Sequence, residues 1–171
     1  MKLKKKRRLA ALLALLLTLL PLSVSCSPKN NYTDGIPCAE LMDTVVDQVP
    51  VNFGYETFGG DHLRYYFENT ETYDDACLRY STLSEDINEI GIFHSPDQKS
   101  QKELRTRTEK YLATLLEEQR AFIESYAPEE IPKLEKAEVR AFGNYTVYAI
   151  LSDDDRQTVF ETVERKLKQE S

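Results

Sequence analysis

The chain has 171 residues, 41% of them hydrophobic and 30% charged, with ten Tyr and seven Phe, which fits one ordinary globular domain and excludes two full-sized domains or a disordered tail. Six of its 22 basic residues lie in the first 25, where there is no acidic residue, so the remainder sets 16 basic against 29 acidic residues, a net charge of −13. A surface that acidic argues against nucleic acid as a partner and repels a bare anionic lipid face.

Lys2, Lys4, Lys5, Lys6, Arg7 and Arg8 precede an apolar stretch of 14 residues, Leu9 to Leu22, followed by Ser23-Val24-Ser25 and Cys26. Charged, apolar and small-residue regions in this order form a secretory signal peptide. At ~1.5 Å per residue the apolar stretch makes about 21 Å of helix, short of the ~30 Å hydrocarbon core, so a permanent span is the weaker reading. Leu22-Ser23-Val24-Ser25-Cys26 resembles the lipobox of bacterial lipoproteins, with Ser23 where an aliphatic residue is usual. The resemblance implies cleavage before Cys26, a diacylglyceryl thioether on its sulfur and a mature chain of 146 residues on the outer face of the cytoplasmic membrane. Ordinary secretion and an uncleaved anchor are the alternatives. Residues 1–25 are thus expected to be a signal peptide, residues 26–36, polar and turn-rich, a lipidated cysteine and flexible tether, and residues 37–171 a single globular α+β domain.

Within that domain, apolar residues at 38, 41, 42, 45, 46 and 49 make the stripe of an amphipathic helix with Pro37 near its start. Residues 51–60 have no sustained period and read as a Gly-marked loop, and Asp61 can cap a short helix over 62–68. Residues 76–82 and 88–94 alternate as strands joined by a five-residue turn. Ser95-Pro96-Asp97-Gln98 then offers an N-cap at Ser95, Pro at N1 and Gln at N3. The helix that follows is expected to run for about 30 residues to Pro128, roughly 45 Å, longer than a small sheet is wide, so that one end projects. Its face is Leu104, Thr108, Tyr111, Leu112, Leu115, Gln119, Phe122, Ile123 and Tyr126. Strands 137–142 and 145–151 flank Gly143-Asn144, a tight hairpin, and Ser152-Asp153-Asp154-Asp155 opens a last helix. The order α-α-β-β-α-β-β-α predicts an α+β fold, helices packed on a mainly antiparallel four-stranded sheet. Alternation places Phe93, Phe142, Tyr148 and Ile150 opposite Ile90, Ile92, Val139 and Val147, so both sheet faces are apolar and need covers.

Several of these segments carry a family resemblance: Ile87 to His94 before a charged helix, Tyr126-Ala127-Pro128-Glu129-Glu130, Lys133 to Ala137, Gly143-Asn144-Tyr145 and Ser152-Asp153-Asp154. Together they resemble domain of unknown function 4358, largely predicted lipoproteins of Gram-positive bacteria, chiefly Clostridia. The resemblance implies an envelope location and a compact α/β domain, and brings no catalytic residues. Gly91 and His94 stand in the first motif where a longer aliphatic and a basic residue are expected.

Catalytic signatures do not emerge. His62 and His94 lie in no nucleophile motif, and there is no phosphate-binding Gly-rich loop, no His-Glu-x-x-His and no Cys-x-x-Cys. No cofactor or metal is therefore expected. Asp153, Asp154 and Asp155 could face a hard cation but suit helix capping better. Cys38 and Cys77 could form a disulfide closing a loop of about 40 residues, worth roughly 3–4 kcal/mol, or remain two separate thiols. Phe53, Tyr55, Phe58, Tyr65 and Tyr66, with Phe67 and Tyr73 close by, are candidates for binding a ligand or partner, although capping one end of the core is the stronger reading for most of them. The expected function is a non-catalytic binding or assembly module held to the membrane by its lipid, with an envelope protein or wall component as partner. A small envelope hydrolase using carboxylates, or a solute-binding lipoprotein, is the alternative.

Overall fold

A computed structural model of the chain describes residues 31–49, 55–59 and 70–169. The elements are α1 (Cys38–Val46), β1 (Tyr55–Gly59), β2 (Asp75–Ser81), β3 (Glu89–His94), α2 (Gln98–Tyr126), α3 (Ile131–Glu135), β4 (Glu138–Phe142), β5 (Tyr145–Ile150) and α4 (Asp153–Gln169), with 3-10 turns at Thr70–Thr72 and Pro128–Glu130. All strand pairings are antiparallel, in the order β1-β2-β3-β5-β4. The α+β class, the long central helix and the four expected strands are all present. β1 adds a fifth strand at the sheet edge, where a loop was expected: Tyr55 pairs with Ser81 and Phe58 with Leu78. The expected helix over 62–68 lies outside the described residues.

Both sheet faces are covered from within the chain. On one side α1 and α4 pack on Cys77, Ile90, Ile92, Phe142, Tyr145 and Val147, with Leu41, Met42, Val45, Val159, Phe160 and Val163 closing the layer. On the other, α2 and α3 cover Leu78, Phe93, Val139, Tyr148 and Ile150 with Leu104, Leu112, Ile123, Ile131 and Leu134. β5 is buried at all six positions, as a strand covered on both faces must be. Alternation alone had put Phe142 beside Tyr148 and Val139 with the other group; the hairpin register pairs Val139 with Tyr148 and Phe142 with Tyr145, which reverses β4. The turn is the expected two-residue connection, with positive φ at Gly143 (60°) and not at Asn144, the pattern of a II′ turn.

Helix ends follow from where their unpaired N–H groups go. α1 starts at Pro37, which has no side-chain cap, and Asp75 on β2 supplies one by accepting from the Cys38 N–H at 2.7 Å. α2 is capped by Asp97, not Ser95: Asp97 accepts from the Ser100 N–H at 2.8 Å. Ser95 stays in line with β3 instead: its N–H bonds to the Asn144 carbonyl at 3.0 Å, prolonging the β3–β5 ladder. On α4 the Ser152 hydroxyl accepts from the Asp155 N–H at 3.2 Å and donates to its carboxylate at 2.7 Å. Asp153 is held by Lys136 and Arg156, at 2.7 and 2.9 Å, so this acidic run closes a helix end. Along α2 the i, i+4 ion pairs Glu103–Arg107, Arg105–Glu109 and Arg120–Glu124 line the solvent side, at 2.7, 2.9 and 3.0 Å.

Candidate functional site

α2 has 29 residues, about 43 Å of helix, and runs along the strands, from Gln98 beside Asn144 to Tyr111 beside Glu89, so it is about twice the ~20 Å length of a six-residue strand. Its first half buries Gln101, Leu104, Thr108 and Leu112; in the second half only Ile123 is buried, and Phe122 and Tyr126 are 52% and 71% exposed. These two rings lie 4.7 Å apart. Where the helix outruns the sheet, a mostly apolar groove of about 220 Å³ opens between α2 and the β2–β3 turn, lined by Tyr80, Leu115, Ile123, Leu134 and Ile150 as well as the two exposed rings.

A carboxyl group lies among these apolar walls. Glu89, the first residue of β3, shares a sheet face with Gly91 and Phe93, the face that α2 covers. One oxygen, Oε1, accepts from Tyr111 at 3.0 Å and from Tyr148 in a shorter bond. The other, Oε2, receives no hydrogen bond from the described residues, and Glu89 retains some exposure to the groove. Burial raises the Glu89 pKa above the ordinary carboxylate value, and the two tyrosine hydroxyls oppose that shift without cancelling it. The β2–β3 turn beside it is fastened to the Pro128–Glu130 turn and α3: Glu130 accepts from the Ile87 N–H at 3.2 Å, and Lys133 bridges Glu130 and Asn88 at 2.7 and 3.0 Å.

The far end of β3 carries a second polar cluster. His94 places Nδ1 2.5 Å from Asp74 and Nε2 2.6 Å from Asp34, and Asn144 donates to the other Asp34 oxygen at 2.9 Å. Residues 32–36, assigned by composition to the tether, pack here as a strap. The Thr33 N–H bonds to the Leu167 carbonyl at 2.8 Å, Tyr32 meets Phe142 edge-on and donates to Glu164, and Ile36 is buried. With a carboxylate on each ring nitrogen, both nitrogens act as donors and the imidazole has no lone pair left for general-base work. Burial lowers the His94 pKa, but hydrogen bonds to Asp74 and Asp34 and their charges outweigh it and hold it above the ordinary value.

A pH dependence follows. The clasp contributes fully below the unfolded histidine value of ~6.5 and is lost as pH rises through the higher folded value. Amides of residues 33–36 are expected to lose hydrogen-exchange protection as pH rises above about 6.5, after correction for intrinsic rates. His94→Gln should abolish that dependence; unchanged protection in the parent chain would contradict the clasp.

Of the residues singled out by sequence, Phe53, Tyr65, Tyr66 and Phe67 lie outside the described residues, as do His62 and Cys26. Tyr55 and Phe58 fall on β1, and Tyr73 is a core residue packed edge-on against Phe93 at 5.5 Å. Cys38 and Cys77 are free thiols in the same core, both with pKa values raised chiefly by burial, Cys77 to about 11. Sequence reading missed Glu89, although the alternation Glu89-Gly91-Phe93 already placed it on an aromatic face. It also missed the His94 clasp, whose partners lie 20 and 60 residues away.

A family model described as Domain of unknown function (DUF4358) matches residues 52–151, more than half of the chain, and the chain belongs to that family. The matched segment takes in all five described strands, α2 and α3, whereas α1 and α4 lie outside it. No curated protein and no solved structure matches the chain.

Proposed function

We propose that this member of the family is a lipid-anchored, extracytoplasmic lipoprotein that works as a non-catalytic binding or assembly module in the bacterial cell envelope. The signal-peptide layout and Cys26 support the anchor, and the observation that carries the reading is the placement of strap and groove. His94 and Glu89 are the two ends of β3, about 17 Å apart along the strand. With the strap clasped at the His94 end, Cys26 to Asn31 reach at most ~20 Å from lipid to domain. The Glu89 groove is then turned away from the membrane, towards an envelope protein or wall component. Phe122 and Tyr126 give that end exposed aromatic surface of the kind that anchors interfaces.

Crosslinking in intact cells tests the reading. One specific partner should be captured by the parent chain and lost both in Cys26→Ala and in the double variant Phe122→Ala, Tyr126→Ala. A measurable turnover abolished by Glu89→Gln would overturn it in favour of a carboxylate-dependent hydrolase, the reading that the raised Glu89 pKa would otherwise favour.

A further inference from the structure

The chemistry of the groove restricts what it can hold. At about 220 Å³ it is smaller than the ~300–1,000 Å³ of pockets that enclose whole organic ligands, and it suits one large side chain delivered by a larger molecule. The walls Leu115, Ile123 and Ile150 are aliphatic and suit an apolar stem. Glu89 Oε2 is an acceptor without a donor among the described residues, so the head group must bring hydrogen-bond donors. Phe122 and Tyr126, exposed at the rim about three to four helical turns beyond Tyr111, offer apolar surface to the residues that flank the inserted side chain. The net charge of −13 outside the first 25 residues favours the same sign of visitor.

Resting on the binding-module reading, we infer that the groove takes an arginine side chain from a partner protein, its guanidinium on Glu89 Oε2 and its stem against Leu115 and Ile123, with apolar residues flanking that arginine against the Phe122–Tyr126 rim. Arginine fits better than lysine because a guanidinium carries several N–H donors in a planar fork and, less strongly hydrated than an ammonium, is more readily desolvated among aliphatic walls. An occupied groove would keep Glu89 ionised, compensating the burial that disfavours its charge in the free protein.

Selection of random peptides against the purified full-length chain in detergent micelles tests this. The expected winners carry an arginine flanked by apolar residues, and citrulline in its place, neutral and of the same shape, should weaken binding about tenfold or more. Glu89→Gln should weaken binding similarly while the thermal transition stays in place or rises, since a buried carboxyl has been neutralised. Phe122→Ala, at an exposed position, should weaken binding several-fold and serves as a second variant if Glu89→Gln does not fold. Three outcomes overturn the arginine assignment: no selected peptide, peptides indifferent to citrulline or Glu89→Gln, or free arginine amide binding as tightly as the peptide. Uncharged peptides that still compete at Phe122 and Tyr126 would overturn it too, while leaving the binding-module reading intact.

Discussion

Gly91→Val is expected to destabilise the protein by about 1–3 kcal/mol, with a fall in Tm of roughly 5–10 °C. A Cβ at Gly91 would lie 2.0 Å from Cε1 of Tyr148 and 2.7 Å from Cδ1 and Cζ of the same ring. Tyr148 is the cross-strand partner of Gly91, so its ring lies over the glycine in the middle of the sheet. It has no easy escape: it is fully buried, stacked on Phe93 at 6.2 Å and met edge-on by Tyr111 at 5.9 Å. Moving the ring also moves the hydroxyl that holds Glu89, so the strain reaches the groove. Gly91→Ala should have the same sign and a smaller size. The clearest measurement is a double-mutant cycle in urea: combined with Tyr148→Ala, Gly91→Ala should cost less than the sum of the single changes, because the clash is gone. Additive costs, or a Gly91→Val midpoint equal to that of the parent chain, would show that ring and glycine do not constrain each other.

The same glycine illustrates what the sequence could convey. As a residue out of place among Ile90, Ile92 and Phe93 it was visible, yet its cause lies in a ring 57 positions along the chain, brought opposite by the β3–β5 register. Periodicity located α1, α2, α4 and four strands because each pattern is local. It separated Val139 from Phe142 within β4, but the side each one faces is settled only when the strand pairs with β5. Tyr55–Gly59 escaped because flanking glycines interrupt a strand of only five residues. The strap escaped for a different reason. Asp34 and Asn31 look like linker residues by composition, and only the fold brings His94 and Asn144 to Asp34. Glu89 was hidden because a carboxylate at a strand start ordinarily faces water; its burial comes from Tyr111 and Tyr148.

Tyr145 is where the strap and the core depend on one side chain, and Tyr145→Ala is expected to cost about 3–5 kcal/mol, as for other fully buried aromatics. The ring packs 4.8 Å from His94 within the α1–α4 core, while its hydroxyl accepts from the Gly35 N–H at 3.1 Å and donates to the Ile36 carbonyl at 2.8 Å. Gly35 lies at φ 98°, a conformation that favours glycine, so the strap reaches the hydroxyl by a turn most residues could not make. Tyr145→Phe separates the two roles. It keeps the ring and leaves both strap groups without that partner, a cost of about 1–3 kcal/mol. Hydrogen exchange should then accelerate at Thr33 and Gly35 while Ile92 and Val147 in the sheet stay protected; Tyr145→Ala should accelerate both sets. Equal protection of the strap in Tyr145→Phe and the parent chain would mean that the His94 clasp alone holds it. If Cys26 carries the anchor, the phenylalanine variant has a further consequence. Freeing residues 31–36 lets the chain from Cys26 to Ile36 extend to ~35 Å, so the domain keeps its fold and groove but loses its fixed orientation at the membrane. Partner crosslinking that weakens in Tyr145→Phe, with stability largely retained, would therefore separate the need for an oriented groove from the need for a folded one.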